Sequence, residues 1–542
     1  MRPRYQLSPS LPPLAWLAWY TKAAGLVEIV HGRDVETHPQ FFVEGAWAGP
    51  YPHGALHQAE SVFGSGAVFE DDGAVFVSSS ATTDYLYYLD EPARFSISNS
   101  LPALLAHLDD ELQIAFDGYV EINRSIQDGI HDYQTSIPTR RGAVQRIMWW
   151  NLRLDADSIQ LMAKSPPPRF LTFDDYNAYL GDTTKSVLEN ARHTSRKQPL
   201  AIFSTQSRGY DSTAVNALAA PHGIDRVFTS PESKEKSTFY RRRRTPTPSD
   251  DGTDIGRTLG FECTHIARRS FESGVIDEHY YWAGHDNNQD FNMLDIQQHI
   301  ERPTMLLTGQ LGETWYMPKI AGPRFPKMNN DALFCWSQVG HGLGEIRLAT
   351  RFIQAAIPFI GACNRPDIFR ITESDEMAPW TLNTEYDRPI PRRIAEEAGV
   401  PREMFGQIKL ASIVHLPTPN VPVTPALRTE FFRHLRRERL LGPAGIRLIP
   451  MIQRINNWIY WNNPTRYFND RRQYPLLWYA GYAYAKLSGA PPRFRMLWSR
   501  IDSHLYAFCV NKVRDDYARH LAPHGHAADR APSRAANGED RV

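Results

Sequence analysis

The feature that most limits how this chain can fold is an alternation that begins after a proline run, Ser165-Pro166-Pro167-Pro168. Beyond it, short apolar runs are separated by stretches with a helical period. The runs are Leu200-Ala201-Ile202-Phe203, Arg226-Val227-Phe228-Thr229, Cys263-Thr264-His265-Ile266 and Thr304-Met305-Leu306-Leu307. Such runs suit strands buried on both faces and are short for buried helices. The stretches between predict helices over 173–195, 212–220 and 254–259. Strand-helix alternation of this kind predicts a doubly wound parallel sheet, an α/β fold. The proline run favours extended backbone and marks a boundary.

The residues before that boundary have a different texture. Roughly the first 150 are strand-rich by period. Gly66 to Val77 predicts a hairpin around Asp71-Asp72-Gly73, with the glycine supplying a positive φ. A short helix is expected over 101–108, and further strands over 142–147 and 149–154. After about residue 340 the pattern turns mostly helical. Trp458, Tyr460, Trp461, Trp478 and Tyr479 fit a packed helical layer there. From His520 onward Ala, Pro, Gly and charge dominate, which predicts a disordered tail. At 542 residues the chain exceeds one ordinary core and suggests two or three domains.

Charge and cysteine usage exclude some classes. Lys plus Arg and Asp plus Glu are equal at 60 each, so no global field favours nucleic acid or an anionic membrane. The cysteines (Cys263, Cys335, Cys363, Cys509) form no C-x-x-C pair, which argues against a zinc ribbon or a disulfide framework. Arg2 and Arg4 precede an apolar stretch from Leu11 to Val30. Pro12, Pro13 and Lys22 interrupt it without a convincing cleavage site, so it is expected to form a first buried strand or helix. No uninterrupted apolar run reaches the roughly 20 residues of a membrane span. A cytoplasmic protein with no membrane and no nucleic-acid partner is expected; self-association into a homo-oligomer stays open.

Chemistry concentrates in Ser207-Arg208-Gly209-Tyr210-Asp211-Ser212-Thr213, which follows the first apolar run and opens a helix. Amides at a helix N-terminus point outward, the helix dipole favours negative charge, and a glycine lets the chain turn tightly against a phosphate. Hydroxyls of Ser207, Ser212 and Thr213 can add hydrogen bonds. An acid such as Asp211 belongs in an anion site when a divalent metal bridges it to phosphates. A plain helix cap with a turn glycine accounts for the same residues.

The segment resembles the S-G-G-x-D-S loop of the asparagine synthetase and β-lactam synthetase family, N-type ATP pyrophosphatases with a PP-loop. Arg208 stands where glycine is usual. Further segments follow in family order. Leu306-Leu307-Thr308-Gly309-Gln310-Leu311-Gly312-Glu313-Thr314 resembles the S-G-x-G-x-D-E segment, with Glu313 replacing its Asp. Tyr386-Asp387-Arg388-Pro389-Ile390-Pro391-Arg392-Arg393-Ile394 and Phe405-Gly406-Gln407-Ile408-Lys409 resemble its late region, where an arginine-bearing helix leads to a catalytic lysine. Gly344-Glu345-Ile346-Arg347 and Ile357-Pro358-Phe359-Ile360 resemble the E-x-R and P-F-L-D segments. The resemblance implies ATP held by Ser207, Arg208, Gly209, Asp211, Ser212, Thr213 and Gly309, and Mg²⁺ held by Asp211 and Glu313. It also implies catalytic roles for Lys409 and Glu345, with Gln310 facing the substrate.

Asp84 to Tyr88 and Phe95 to Leu105 are similar to the core of that family's glutamine-hydrolysing domain. That implies an Ntn-type α/β/β/α sandwich over 1–165, an ATP pyrophosphatase domain over 166–519 and a tail over 520–542. Glutamine hydrolysis in this class needs an N-terminal cysteine. This chain begins Met1-Arg2-Pro3-Arg4 and its first cysteine is Cys263, so the implied sandwich is degenerate. The implied activity is an ATP-dependent, AMP-forming amide ligase without glutaminase activity, joining a small-molecule or peptide carboxylate to an amine donor or ammonia. Alternatives are a macrolactam or β-lactam cyclase and a catalytically weakened binding or scaffold subunit. Arg241 to Arg244 fit a solvated loop, a lid over ATP or a patch for an acidic or peptide substrate.

Overall fold

The computed structural model describes residues 1–22, 25–231, 249–266, 276–284, 294–316, 343–384, 386–408, 417–462, 498 and 500–519. Arg241 to Arg244, Cys335, Lys409, Trp478, Tyr479 and the expected tail lie outside the described residues.

The strands before Lys164 are β1 (Arg2–Leu7), β2 (Trp16–Thr21), β3 (Leu26–His31), β4 (Glu36–Thr37), β5 (Phe41–Trp47), β6 (Val62–Phe69), β7 (Gly73–Val77), β8 (Leu86–Asp90), β9 (Arg94–Ser98), β10 (Ser136–Pro138), β11 (Ala143–Ile147), β12 (Asn151–Asp155) and β13 (Ile159–Met162). They build a seven-stranded sheet, β1-β3-β2-β9-β8-β11-β10, and a six-stranded sheet, β13-β12-β7-β6-β5-β4. Only the β1–β3 pairing is parallel. Alternation along β2 explains how the sheets pack. Trp16, Ala18 and Tyr20 enter a core with Phe42, Phe76 and Phe95 from both sheets. Leu17 and Trp19 point the other way, into the cluster that holds Leu101 and Leu104 of α1 (Leu101–Leu108). The Leu11–Val30 stretch therefore yields strands, not a helix.

The 66–77 hairpin forms, with Glu70 N donating to Gly73 O at 2.9 Å. The reason for its glycine differs from the expectation, because Gly73 has no positive φ. A Cβ there would lie 2.7 Å from the Leu154 carbonyl oxygen, so close approach of β12 excludes a side chain.

From Ala201 on, every strand among the described residues joins one five-stranded parallel sheet: β14 (Ala201–Thr205), β15 (Arg226–Thr229), β16 (Cys263–His265), β17 (Thr304–Thr308) and β18 (Phe352–Ala356). Its order is β16-β15-β14-β17-β18. The chain thus winds outward in one direction from β14 and then in the other, and the order reverses between β14 and β17. Strand β18 falls in a region expected to be helical. Its five residues are all buried, and so short an apolar run carries no period to tell strand from helix.

The other helices are α2 (Tyr119–Arg124), α3 (Phe173–Ala191), α4 (Tyr210–Ala219), α5 (Thr253–Thr258), α6 (His279–Gly284), α7 (Leu294–Gln297), α8 (Gly344–Thr350), α9 (Arg365–Thr372), α10 (Pro389–Glu397), α11 (Pro425–Arg437), α12 (Pro443–Asn462) and α13 (Arg500–Ala518). Helix α3 starts on a capping box, Thr172 with Asp175. Asn190 at its end donates to Gly49 O at 2.7 Å, and Arg196 just beyond donates to Gly45 O at 2.8 Å, which ties it to the six-stranded sheet. Helix α13 returns to the sandwich: Asn511 bridges the Leu112 amide and carbonyl at 2.8 and 3.1 Å. Ser503 donates to Asp117 O at 2.8 Å and accepts from Val120 N at 3.1 Å.

Candidate functional site

In an open α/β sheet the crevice for a ligand lies beyond the carboxyl ends of the two strands where the order reverses. Those ends are Thr205 of β14 and Thr308 of β17, and the chain leaves them into 206–209 and 309–311. The expected nucleotide loop and the expected second acidic segment therefore flank one crevice.

They also touch. A Cβ on Gly309 would stand 2.8 Å from Ser212 N and 2.9 Å from Asp211 Cβ. One on Gly312 would stand 2.3 Å from Asp211 Cγ and 2.6 and 2.7 Å from its carboxylate oxygens. Both are distances that real side chains do not adopt, so the two glycines set the approach of one loop to the other. Between them Leu311 holds φ +65°, a left-handed conformation costly for a branched side chain. Gln310 lies in this same turn, and Glu313 is the second residue of the 3₁₀ turn Gly312–Trp315 that follows.

The 207–213 loop is braced from within. Ser207 and Ser212 hydroxyls are 2.8 Å apart, the Ser207 amide donates to Ser212 Oγ at 3.1 Å, and the Gly209 amide donates to Ser207 Oγ at 3.0 Å. Gly209 caps α4 without any side-chain capping bond. The Thr213 hydroxyl is buried. It donates to Gly209 O at 2.7 Å and accepts from Gln206 at 3.0 Å, so it holds the loop closed on its inner side. Arg208 turns to a neighbouring segment: its amide donates to Asp250 Oδ1 at 3.0 Å and its Nε to Asp251 O at 2.9 Å, and its guanidinium stands 3.8 Å from Asp254.

The late segment closes the third side. Arg208 O accepts from the Gly406 amide at 2.8 Å. Tyr210, fully buried, meets Tyr386 and Phe405 edge-on at 4.9 and 5.7 Å between ring centroids, and Arg392 of α10 donates to its hydroxyl. Arg388, at the start of α10, stacks on the Tyr316 ring and lies 4.9 Å from the Tyr386 centroid. Burial, and then the Glu313 carboxylate, push the Tyr316 phenol well above its ordinary value; Arg388 opposes and Asp211 adds to the rise. Asp211, Glu313, Tyr316, Tyr386 and Arg388 thus share one electrostatic neighbourhood.

Glu345 is not part of it. It is buried against the sandwich, where it accepts from Tyr517 Oη at 3.0 Å and lines a small cavity with Thr83 and Asn99. Burial raises its carboxyl to about 7, with Ser100, Tyr517 and Arg347 opposing. Its neighbour Arg347 is also committed elsewhere: it pairs with Glu44 at 2.9 and 3.0 Å and with Asp84. Tyr386 and Arg388 lie in a segment the resemblance singles out, whereas Tyr316 carries no period or spacing signal; the meeting of α10 with the β17 turn assembles them.

Comparison with protein-family models gave no match to the chain, and comparison with curated proteins gave none. What stands established is a mixed α/β protein with one parallel sheet and a sandwich of largely antiparallel sheets.

Proposed function

We propose that the protein is an ATP-dependent, AMP-forming amide ligase of the asparagine synthetase and β-lactam synthetase type. A substrate carboxylate oxygen attacks the α-phosphorus of ATP and pyrophosphate leaves. An amine nitrogen then attacks the acyl carbon, loses its proton, and AMP departs. One observation carries the reading: two loops with the family's residue types meet at the strand-order reversal, with Gly309 and Gly312 packed on Ser212 and Asp211.

The residues fit the proposed ligands in kind. The start of α4 offers amides and a helix dipole to pyrophosphate. Asp211 and Glu313 are hard oxygen donors on facing loops, and a glycine rather than a side chain stands against the Asp211 carboxylate. Mg²⁺ held there would neutralise phosphate charge and polarise the phosphoryl oxygens. Lys409 is proposed to follow charge developing on the α-phosphate and on the tetrahedral centre. Gln310 is proposed to face the substrate. The sandwich residues include no cysteine, so the nitrogen is proposed to come from an amine other than glutamine-derived ammonia.

ATP–pyrophosphate exchange across a panel of carboxylates tests this. Exchange should appear with one class of carboxylate and drop about 100-fold or more in Asp211→Ala. Absence of exchange and of AMP formation across the panel, or exchange indifferent to Asp211, removes the ligase reading and leaves a binding subunit. Turnover that needs a single organic substrate selects a cyclase.

A further inference from the structure

Arg388 holds a position that no role assigned so far explains. It is only 8% exposed, and its Nε is fully buried without a hydrogen-bond partner. What its guanidinium meets is the face of Tyr316 and, at 4.9 Å, the ring of Tyr386. Of its neighbours in the chain, Asp387 accepts through Oδ2 from the Leu382 and Asn383 amides at 2.7 Å each and keeps Oδ1 buried without a hydrogen bond, and Pro389 opens α10.

Aromatic faces stabilise a buried cation far less than hydrogen-bonded anions do. A buried guanidinium with an unused donor is therefore a standing cost, and proteins keep such costs where a ligand removes them. A guanidinium presents its N–H donors as a planar fork. That fork matches two oxygens of a carboxylate or phosphoryl group. Asp211 and Glu313, in the same neighbourhood, are the groups proposed to hold a divalent cation. With those two engaged, Arg388 has no ion pair among the described residues.

We propose that Arg388, set against Tyr316 and Tyr386, is an oxyanion-binding residue of the crevice between the Gly309–Glu313 turn and α10. This rests on the site proposed above but goes beyond it, because it requires an anionic group there whatever reaction follows. A phosphoryl group and a carboxylate share the recognising chemistry.

The test uses the full chain, with Arg388→Met, Arg388→Lys and the exposed control Arg257→Gln. Thermal unfolding without ligand is measured first, then calorimetric binding of inorganic pyrophosphate with Mg²⁺, a non-hydrolysable ATP analogue with Mg²⁺, acetate and glutarate. Arg388→Met should leave Tm unchanged or raised, and weaken at least one of these probes about tenfold or more. Arg388→Lys should recover part of that loss, and Arg257→Gln should change nothing. Weakening confined to pyrophosphate and the ATP analogue places a phosphoryl group on Arg388; weakening confined to acetate or glutarate places a carboxylate there. A lowered Tm with every affinity intact would mean that Arg388 is a packing residue, and would overturn the inference. If the wild type binds the ATP analogue and Arg388→Met binds it and every other probe equally well, only this inference fails. If the wild type binds a carboxylate through Arg388 but neither phosphate probe, only the adenylating function fails. Binding of no probe overturns both.

Discussion

A methyl group on Gly312 would fall 2.3 Å from Asp211 Cγ, so the Asp211 carboxylate must move to admit it. Gly312→Ala should therefore cost about 1–3 kcal/mol in urea unfolding through overpacking. It should also lower exchange activity by about 100-fold, since the carboxylate must shift by an ångström or so. Arg208 gives the opposite expectation. Its charge pair with Asp254 is long and half-exposed, so Arg208→Ala should cost no more than about 1 kcal/mol. Exchange by that variant should stay within about threefold of wild type; a collapse would mean that the guanidinium leaves Asp251 to meet the nucleotide. At Glu345 the carboxyl is raised from 4.5 to about 7, so the folded chain binds a proton that the unfolded chain has released between those values. Stability then falls as pH rises through that window and stays low above it. Glu345→Gln, which cannot ionise, should match wild type near pH 4 and exceed it by about 2–3 kcal/mol at most near pH 8, by denaturant unfolding at both pH values.

Between elements, the contact that orients the crevice is α10 against α4. Tyr210 supplies a neutral hydroxyl acceptor to the buried Arg392, whose charged partner is Glu396 at 3.2 Å. Tyr210→Phe keeps the ring packing with Tyr386 and Phe405 but strips that acceptor from a buried cation. It should cost about 1–3 kcal/mol in urea unfolding. It should also loosen α10, which would appear as faster amide exchange over 389–397 than over β14. Most elements of the parallel sheet were legible beforehand: β14 to β17, α4 and α5 lie within a few residues of their predicted spans, because each is an apolar or periodic run bounded by polar residues. Strand β18 was not, being too short for its period to speak. The hairpin glycine was placed correctly in a turn but for the wrong cause, since only the neighbouring strand β12 shows why no side chain fits.

At the scale of the whole molecule the two parts of the chain are joined by charge as well as by apolar packing. Arg347 of α8 is 2% exposed and its carboxylate partners Glu44 and Asp84 belong to the sandwich. Such a triad contributes little net stability when intact, but removing the cation strands two buried acids. Arg347→Met should destabilise by about 3–5 kcal/mol in equilibrium unfolding, and adding Glu44→Gln and Asp84→Asn to it should restore a substantial part. If Arg347→Met alone were neutral, the sandwich and the parallel-sheet unit would not be coupled through it.

The alternation of apolar runs and helical periods, the strand-rich texture of roughly the first 150 residues and the residue types of the 207–213 and 309–313 loops were determined by sequence alone. Each is a local property: burial on two faces, a period of two or 3.6, or a donor set that suits one chemistry. Only the tertiary structure decided which of those residues meet. It set Gly312 against Asp211, turned Arg208 toward Asp251, moved Glu345 to the sandwich boundary and brought Arg388 onto the Tyr316 ring. These meetings depend on strand order and on the path of α10, which join separate segments and leave no periodic trace in the chain.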